Sequence, residues 1–340
     1  CIRDRLSIDI AESRPYRLRL IADNHRSPSV GAEQATLVGE HFNLTGRGDL
    51  LRGSVSLTEG LENVYTEYRI PVSAQDTELG VYYEITNSDV VEAPFDVLDI
   101  KSDSRTLGLS LGHPVYRVPG EEFDIGMVFE RKWSETELLG SKFSFAEGVV
   151  NGESDVSVLR LTQDWLKRSR NRVLAMHSAF SFGLDILGAT DNVSKPDGEF
   201  FHWLGQFQWA ERLGNTSTEL ILRADAQLSN DPLLPMEKFV VGGADTVRGY
   251  RENQLVRDNG VVASLELRVP IFREQLDTAR LRLAPFIDYG RSWNDGESSR
   301  REEITGAGLG VLYDYRQLHA QLYWAHDFDD VGADGVEHDL

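Results

Sequence analysis

A single cysteine, three methionines and eleven prolines occur among 340 residues. With Cys1 alone, no disulfide can form within the chain and no cysteine-based metal site can be built. Nowhere do eighteen or so apolar residues run together, which excludes a transmembrane helix. A membrane barrel stays open, because its strands alternate and give weak hydropathy; a mean hydropathy of −0.33 suits a barrel or a soluble protein. Positive charge is scarce too. Thirty-five Lys and Arg stand against 55 Asp and Glu, a formal net charge of −20. Phosphate binding needs a basic footprint, so nucleic acid is excluded as the main partner. An apolar share of 41% excludes a disordered polymer.

Helical periodicity is missing as well, and a period of two takes its place. In "GDLLRGSVSLTEG" Leu51, Gly53, Val55 and Leu57 share one face, with Arg52, Ser54, Ser56 and Thr58 opposite. "EEFDIGMVFE" groups Phe123, Ile125, Met127 and Phe129, and "VVASLELRV" sets Ala263, Leu265, Leu267 and Val269 against Ser264, Glu266 and Arg268. Such segments recur near 15–24, 31–42, 48–59, 61–73, 77–88, 103–114, 121–133, 153–167, 171–185, 198–212, 215–228, 260–271, 279–292, 301–314 and 316–328, about fifteen in all. Their length exceeds that of ordinary strands and suits a membrane barrel better than a sandwich. The polar faces carry Glu84, Arg160, Asp225, Glu266 and Arg268, which a dry sandwich core rejects and a wet lumen tolerates. Phe200, Phe201, Trp203, Phe207 and Trp209 crowd one segment as an interfacial girdle does, though a core strand would look similar. The fold class expected is all-β: an antiparallel transmembrane barrel. Single-chain bacterial barrels have an even strand number. With about fifteen strands visible and "DGVEHDL" reading as loop, a sixteenth strand is expected beyond this sequence. At the other end, a chain opening on cysteine reads as a mature lipoprotein or as a cut in a longer chain. The run "CIRDRLSIDI" enters a strand without a flexible tether, which favours the cut.

One stretch breaks the pattern. "FVVGGADTVRGYRENQLVRDNG", Phe239 to Gly260, is rich in glycine and charge and too long for a hairpin turn. A connection of roughly thirty residues at about 3.3 Å each can reach into a wide lumen and return. Gly242 and Gly243 permit a tight reversal, and Gly249 lets the backbone pass close to the wall. Arg248, between Val247 and Gly249, is either a solvated charge or the partner of a carboxylate. Asp288 in "APFIDYGRSW" is the best-placed partner, on the face it shares with Arg282, Phe286 and Gly290.

Other signals carry little. "GLSLG", Gly108 to Gly112, has the spacing of a nucleophile elbow, yet Ser110 sits inside an alternating segment. The histidines have no metal-binding spacing, and Glu121–Glu122 and Asp329–Asp330 fall in turns. No catalytic set, metal site or cofactor is expected.

"GGADTVRGYRENQLVRDNG" followed by "VVASLELRVPIF" resembles the lumenal loop and next strand of two-partner secretion transporters. These are the TpsB type, the hemolysin secretion/activation proteins of the ShlB/FhaC/HecB family, in the superfamily of the BamA assembly proteins. Matching positions are Val247, Arg248, Gly249 and Tyr250, then Glu266 and Leu267. "FIDYG", with Phe286, Asp288 and Gly290, resembles the wall motif that holds the loop arginine. "YRLRLIADNHRSPSVG" resembles the first barrel strand, and "DRLSIDIAES" the last strand of a periplasmic POTRA domain. The resemblance implies sixteen strands, with the loop between strands 11 and 12. It divides the chain into the end of a POTRA domain at 1–13 and an outer-membrane barrel at 14–340, with a lumenal loop at 229–259. It implies a monomer in the Gram-negative outer membrane, among lipid and lipopolysaccharide, secreting an exoprotein that carries an N-terminal secretion domain. The alternative is a BamA- or TamA-like assembly factor. The short gap between "VRGY" and "SLELRVP" favours secretion.

Overall fold

The computed structural model describes residues 14–214, 216–273, 279–295 and 302–329. Its strands are β1 (Tyr16–Asp23), β2 (Gln34–Phe42), β3 (Leu50–Leu57), β4 (Leu61–Pro71), β5 (Glu78–Asp89) and β6 (Lys101–Val118). Then come β7 (Glu121–Leu138), the two-residue β8 (Ser141–Lys142), β9 (Glu153–Arg168), β10 (Arg172–Gly183), β11 (Phe201–Arg212) and β12 (Glu219–Ser229). After β13 (Phe239–Val241) and β14 (Leu255–Arg257), the chain ends in β15 (Asn259–Arg273), β16 (Ala279–Trp293), β17 (Glu302–Tyr315) and β18 (Leu318–Asp327). Fifteen of these pair antiparallel, in chain order, into one sheet; β8 hangs on β7, and β13 with β14 forms a separate ribbon. Each of the fifteen alternating segments holds one strand of the sheet. The expected POTRA strand at 1–13 and the end of the chain past 329 lie outside the described residues.

Register turns alternation into two chemically different faces. Leu18, Leu37, Val55, Leu79, Leu109 and Leu322 are exposed on one face. The other face buries Ser56, Asn63, Ser181, Gln227, Glu266 and Asp288. An apolar outside with a polar inside inverts a soluble protein and is the signature of a membrane barrel. The sheet also curves around its contents. The connection between β12 and β15 touches Lys132 on β7, Arg160 on β9, Asp288 on β16 and the loop after β5. One segment can reach all of these only if the sheet wraps it. No β1–β18 pairing occurs among the described residues.

The two rims differ. One carries short turns, at 72–77, 119–120, 169–171 and 316–317; the other carries the long connections 90–100, 139–152, 184–200 and 230–258. In outer-membrane barrels the short turns are periplasmic and the long loops extracellular. Pro114 and Pro270, which have no N–H for the ladder, lie where β6 and β15 shift register. Phe200 departs from the expected girdle: it precedes β11 and is buried with Val156, Val158, Leu233 and Leu234. Only the odd-numbered aromatics of that segment face outward.

Candidate functional site

The connection between β12 and β15 runs from 230 to 258, the first and last residues of the expected loop being absorbed into the flanking strands. Its stem is tied by side chains. Asn259 Oδ1 accepts from Ser229 N at 2.7 Å, and Gln227 Nε2 donates to the carbonyls of Glu237 (2.9 Å) and Asp258 (3.1 Å). Beyond the stem, β13 and β14 zip together through Phe239↔Arg257, Val240↔Val256 and Val241↔Leu255. Phe239, Val241, Val247 and Leu255 bury themselves against Val262 and Ile304 of the wall. The loop is thus a packed insert with its own apolar core.

Glycine makes room on both sides of this insert. Gly242 and Gly243 adopt φ of 112° and 104°, a region that disfavours side chains, and reverse the chain. On the wall, a Cβ at Gly290 would lie 2.3 Å from Val241 Cγ1, and one at Gly306 would lie 2.0 Å from the Arg248 carbonyl oxygen. Gly249, at φ 105°, brings the backbone to β18, where a Cβ would meet Asp327 N at 3.3 Å.

Arg248 is held from all sides. Its Nε and Nη2 donate to the two oxygens of Asp288 at 2.7 and 2.9 Å, and its backbone N–H adds a third bond at 3.1 Å. Nη1 donates to Glu266 at 2.6 Å and Nη2 to Ser264 at 3.2 Å. The Phe286 ring lies under the guanidinium at 3.5 Å, with Tyr323 at 4.8 Å. Burial disfavours the charged guanidinium; the hydrogen bonds to Asp288 and Glu266 outweigh it and raise its affinity for the proton. Asp288 itself is fully buried. Two carboxylates against one guanidinium leave an excess negative charge, and Arg268 meets it by donating to Glu266 at 2.6 Å. Tyr250 closes the motif by donating to the Thr305 carbonyl at 3.0 Å.

A second anchor lies nearer the stem, on a single 3-10 turn, Pro235–Glu237. Glu237 accepts from Arg160 at 2.8 and 2.9 Å, from Lys132 at 2.9 Å and faces His202 Nε2 at 3.1 Å. Burial alone would raise this carboxyl, but the charges of Lys132 and Arg160 and the His202 contact hold it well below the usual carboxylate range. Arg160 also binds Glu130 at 2.8 Å, so the cluster alternates in sign. Farther along, Arg251 reaches Glu92 in the loop after β5 with bonds of 2.6 and 3.1 Å.

Of the residues singled out from sequence, the structure brings together Val247, Arg248, Gly249 and Tyr250 with Phe286, Asp288 and Gly290. Glu266, read as support, contacts the guanidinium directly, while Gly242 and Gly243 stand apart as the turn. Sequence reasoning missed Glu237, Lys132 and His202, and it missed Tyr323 and Gly306. Lys132 and His202 share inward parity with Arg160, a signal within reach. Glu237 lies in irregular chain, where parity says nothing.

The family model for haemolysin secretion/activation proteins ShlB/FhaC/HecB matches residues 4–313. A search of the curated proteins finds no match. Among solved structures, CdiB from Escherichia coli is similar at a TM-score of 0.75 and 19% identity over 94% of this chain and 64% of that one. CdiB from Acinetobacter baumannii gives 0.71 and 17%, over 93% and 57%. BamA from Haemophilus ducreyi lacking POTRA domains 1-3 gives 0.65 and 12%, over 94% and 68%. At these identities the likeness is one of fold. The chain spans 64% and 57% of the lengths of the two CdiB structures.

Proposed function

Since the chain belongs to the ShlB/FhaC/HecB family of haemolysin secretion/activation proteins, we propose that it is the barrel of an outer-membrane transporter that exports a large partner exoprotein by two-partner secretion. The observation that carries this reading is the insert at 230–258, docked inside the barrel through Arg248 and Glu237. A passive pore needs a constriction but no detachable one. Here the constriction is a separate body, joined to the wall through ion pairs and glycine contacts, and it can leave as a unit.

In this account the barrel sits as a monomer among outer-membrane lipid and lipopolysaccharide, and residues 1–13 end a periplasmic POTRA domain. Such a domain captures an extended substrate by adding it as a strand to a sheet edge. The substrate enters unfolded from its N-terminal secretion domain, the insert yields, and folding outside prevents return. Val247, Arg248, Gly249 and Tyr250 form the gate's tip; Phe286, Asp288, Gly290 and Glu266 form its seat. No chemistry is required of any side chain.

The test expresses the full-length protein with a candidate exoprotein in a host that lacks both. Cargo in the medium, dependent on this protein and on the cargo's secretion domain, is the expected result. Unsecreted cargo with restored assembly of unrelated outer-membrane barrels would assign the protein to assembly instead.

A further inference from the structure

The outer face of the sheet is hollowed where β9 to β16 pass. The hollow measures about 850 Å³, and most of the residues along it are outward ones, with inward-register His177, Gln206, Asp225 and Val262 between them. Its size is within the roughly 300–1,000 Å³ of sites that bury most of a small ligand. Its floor is made of small side chains, Ser178, Gly205, Ala224, Ala226 and Ala263, and its walls of Trp165, Trp203 and Phe207. The indole of Trp203 lies across Gly205, with its ring where a Cβ would come within 2.4 Å, and donates Nε1–H to Ser178 at 3.0 Å. The indole is fixed, so the hollow is preformed. Aromatic girdles account for rings at the interface, but not for a trough of small residues between them.

At the short-turn rim the trough ends beside an unusual charge cluster. Lys167, Arg168, Arg170 and Arg172 fall within six residues at the turn between β9 and β10, in a chain of net charge −20. Lys167 Nζ stands 5.9 Å over the Trp165 ring that walls the trough and pairs with Glu121 at 3.2 Å; Arg172 pairs with Glu211. Arg168 takes the inward parity of Arg160, whereas Lys167 shares the outward parity of Trp165, and Arg170 in the turn is exposed with no ion pair among the described residues. Cations at a rim, continuous with an apolar trough on the lipid-facing wall, complement one kind of molecule: an anion carrying a long chain.

We propose that this is a binding site for an anionic phospholipid of the periplasmic leaflet. The headgroup phosphate lies on Lys167 and Arg170, and one acyl chain lies along the trough over Ala224 and Ala226. The proposal rests on the outer-membrane reading and is independent of the cargo.

The test is native mass spectrometry of the full-length protein, released from detergent micelles containing equal phosphatidylglycerol and phosphatidylcholine with identical chains. Phosphatidylglycerol adducts should exceed phosphatidylcholine adducts several-fold. Each of Lys167→Gln and Arg170→Gln should lower the preference by roughly fivefold. Ala226→Phe, which fills the trough from outside, should lower retention of both lipids while the barrel still shows a heat-modifiable band on a gel. Equal adducts, an Ala226→Phe variant with unchanged retention, lipid displaced by inorganic phosphate alone, or a lipid-free dimer would each overturn the proposal. A protein that neither enters vesicles nor gives a heat-modifiable band would overturn the membrane reading and this site with it.

Discussion

Arg248 and Asp288, forty residues apart, are joined by three hydrogen bonds of 2.7, 2.9 and 3.1 Å, one of them from the arginine's own backbone. The carboxylate therefore grips the loop as chain and as side chain at once. Removing Arg248 leaves the buried Asp288 carboxylate uncompensated, which costs about 3–5 kcal/mol; neutralising Asp288 leaves the guanidinium its bond to Glu266 and costs less. Arg248→Ala and Asp288→Asn should both loosen the insert while the barrel still folds. Limited proteolysis within 230–258 reads this, and wild-type resistance in both variants would contradict it. Arg248→Lys should rescue little, because an ammonium cannot span both oxygens of Asp288 and still reach Glu266.

The seat can be blocked without touching any charge. A Cβ at Gly306 would stand 2.0 Å from the Arg248 carbonyl oxygen. Gly306→Val should displace the insert and raise single-channel conductance in a planar bilayer, with the heat-modifiable band retained. Unchanged conductance would mean that the loop does not obstruct the pore.

Glu237 and Arg248 share no partner, so the two anchors should act independently. Glu237→Gln should loosen the stem side, leaving Arg160 its bond to Glu130. Combined with Arg248→Ala, the effects on the undocked population should multiply. A double variant no looser than either single one would show that only one anchor holds the resting state.

Acidification separates two carboxylates of the insert. Glu237 is held below the ordinary value, so its contribution is present above pH about 4.5 and lost only as pH falls through its lowered value. Glu252 is raised, chiefly by burial and against the hydrogen bond from Ala244. Its contribution is full below pH about 4.5 and lost as pH rises through the raised value. As pH falls from 7 toward about 4.5 the stem should stay fixed while the tip around Ala244–Glu252 gains protease protection. Glu252→Gln should abolish that gain; a gain that persists in the variant would place its source elsewhere.

Most of the architecture was legible in the sequence, because a strand between lipid and water must alternate at every step and any lapse is visible. All fifteen segments hold strands, with ends shifted by a few residues, as at β6, which continues past its predicted end to Val118. The loop was legible as a break in that alternation, and Asp288 as its seat from parity on one strand. Parity fails in irregular chain. Glu237 reads as an ordinary surface carboxylate, and nothing local shows that two cations from β7 and β9 converge on it. Phe200 misled for the same reason: one residue before a strand, it follows the loop's packing rather than the girdle's. Gly306 is one glycine among thirty until the Arg248 carbonyl lies against it.

In the proposed mechanism the insert leaves its seat during export. Gly290 and Val241 approach closely enough that a Cβ on Gly290 would lie 2.3 Å from Val241 Cγ1, so Gly290→Cys with Val241→Cys can be bridged, with Cys1 replaced by Ser. The measurement is cargo release by cells carrying this pair, oxidised and then reduced. Release that stops on oxidation and returns on reduction is the predicted result. Undiminished release with the bridge shown to be closed would contradict the account, because the cargo would then be passing a gate that never opened.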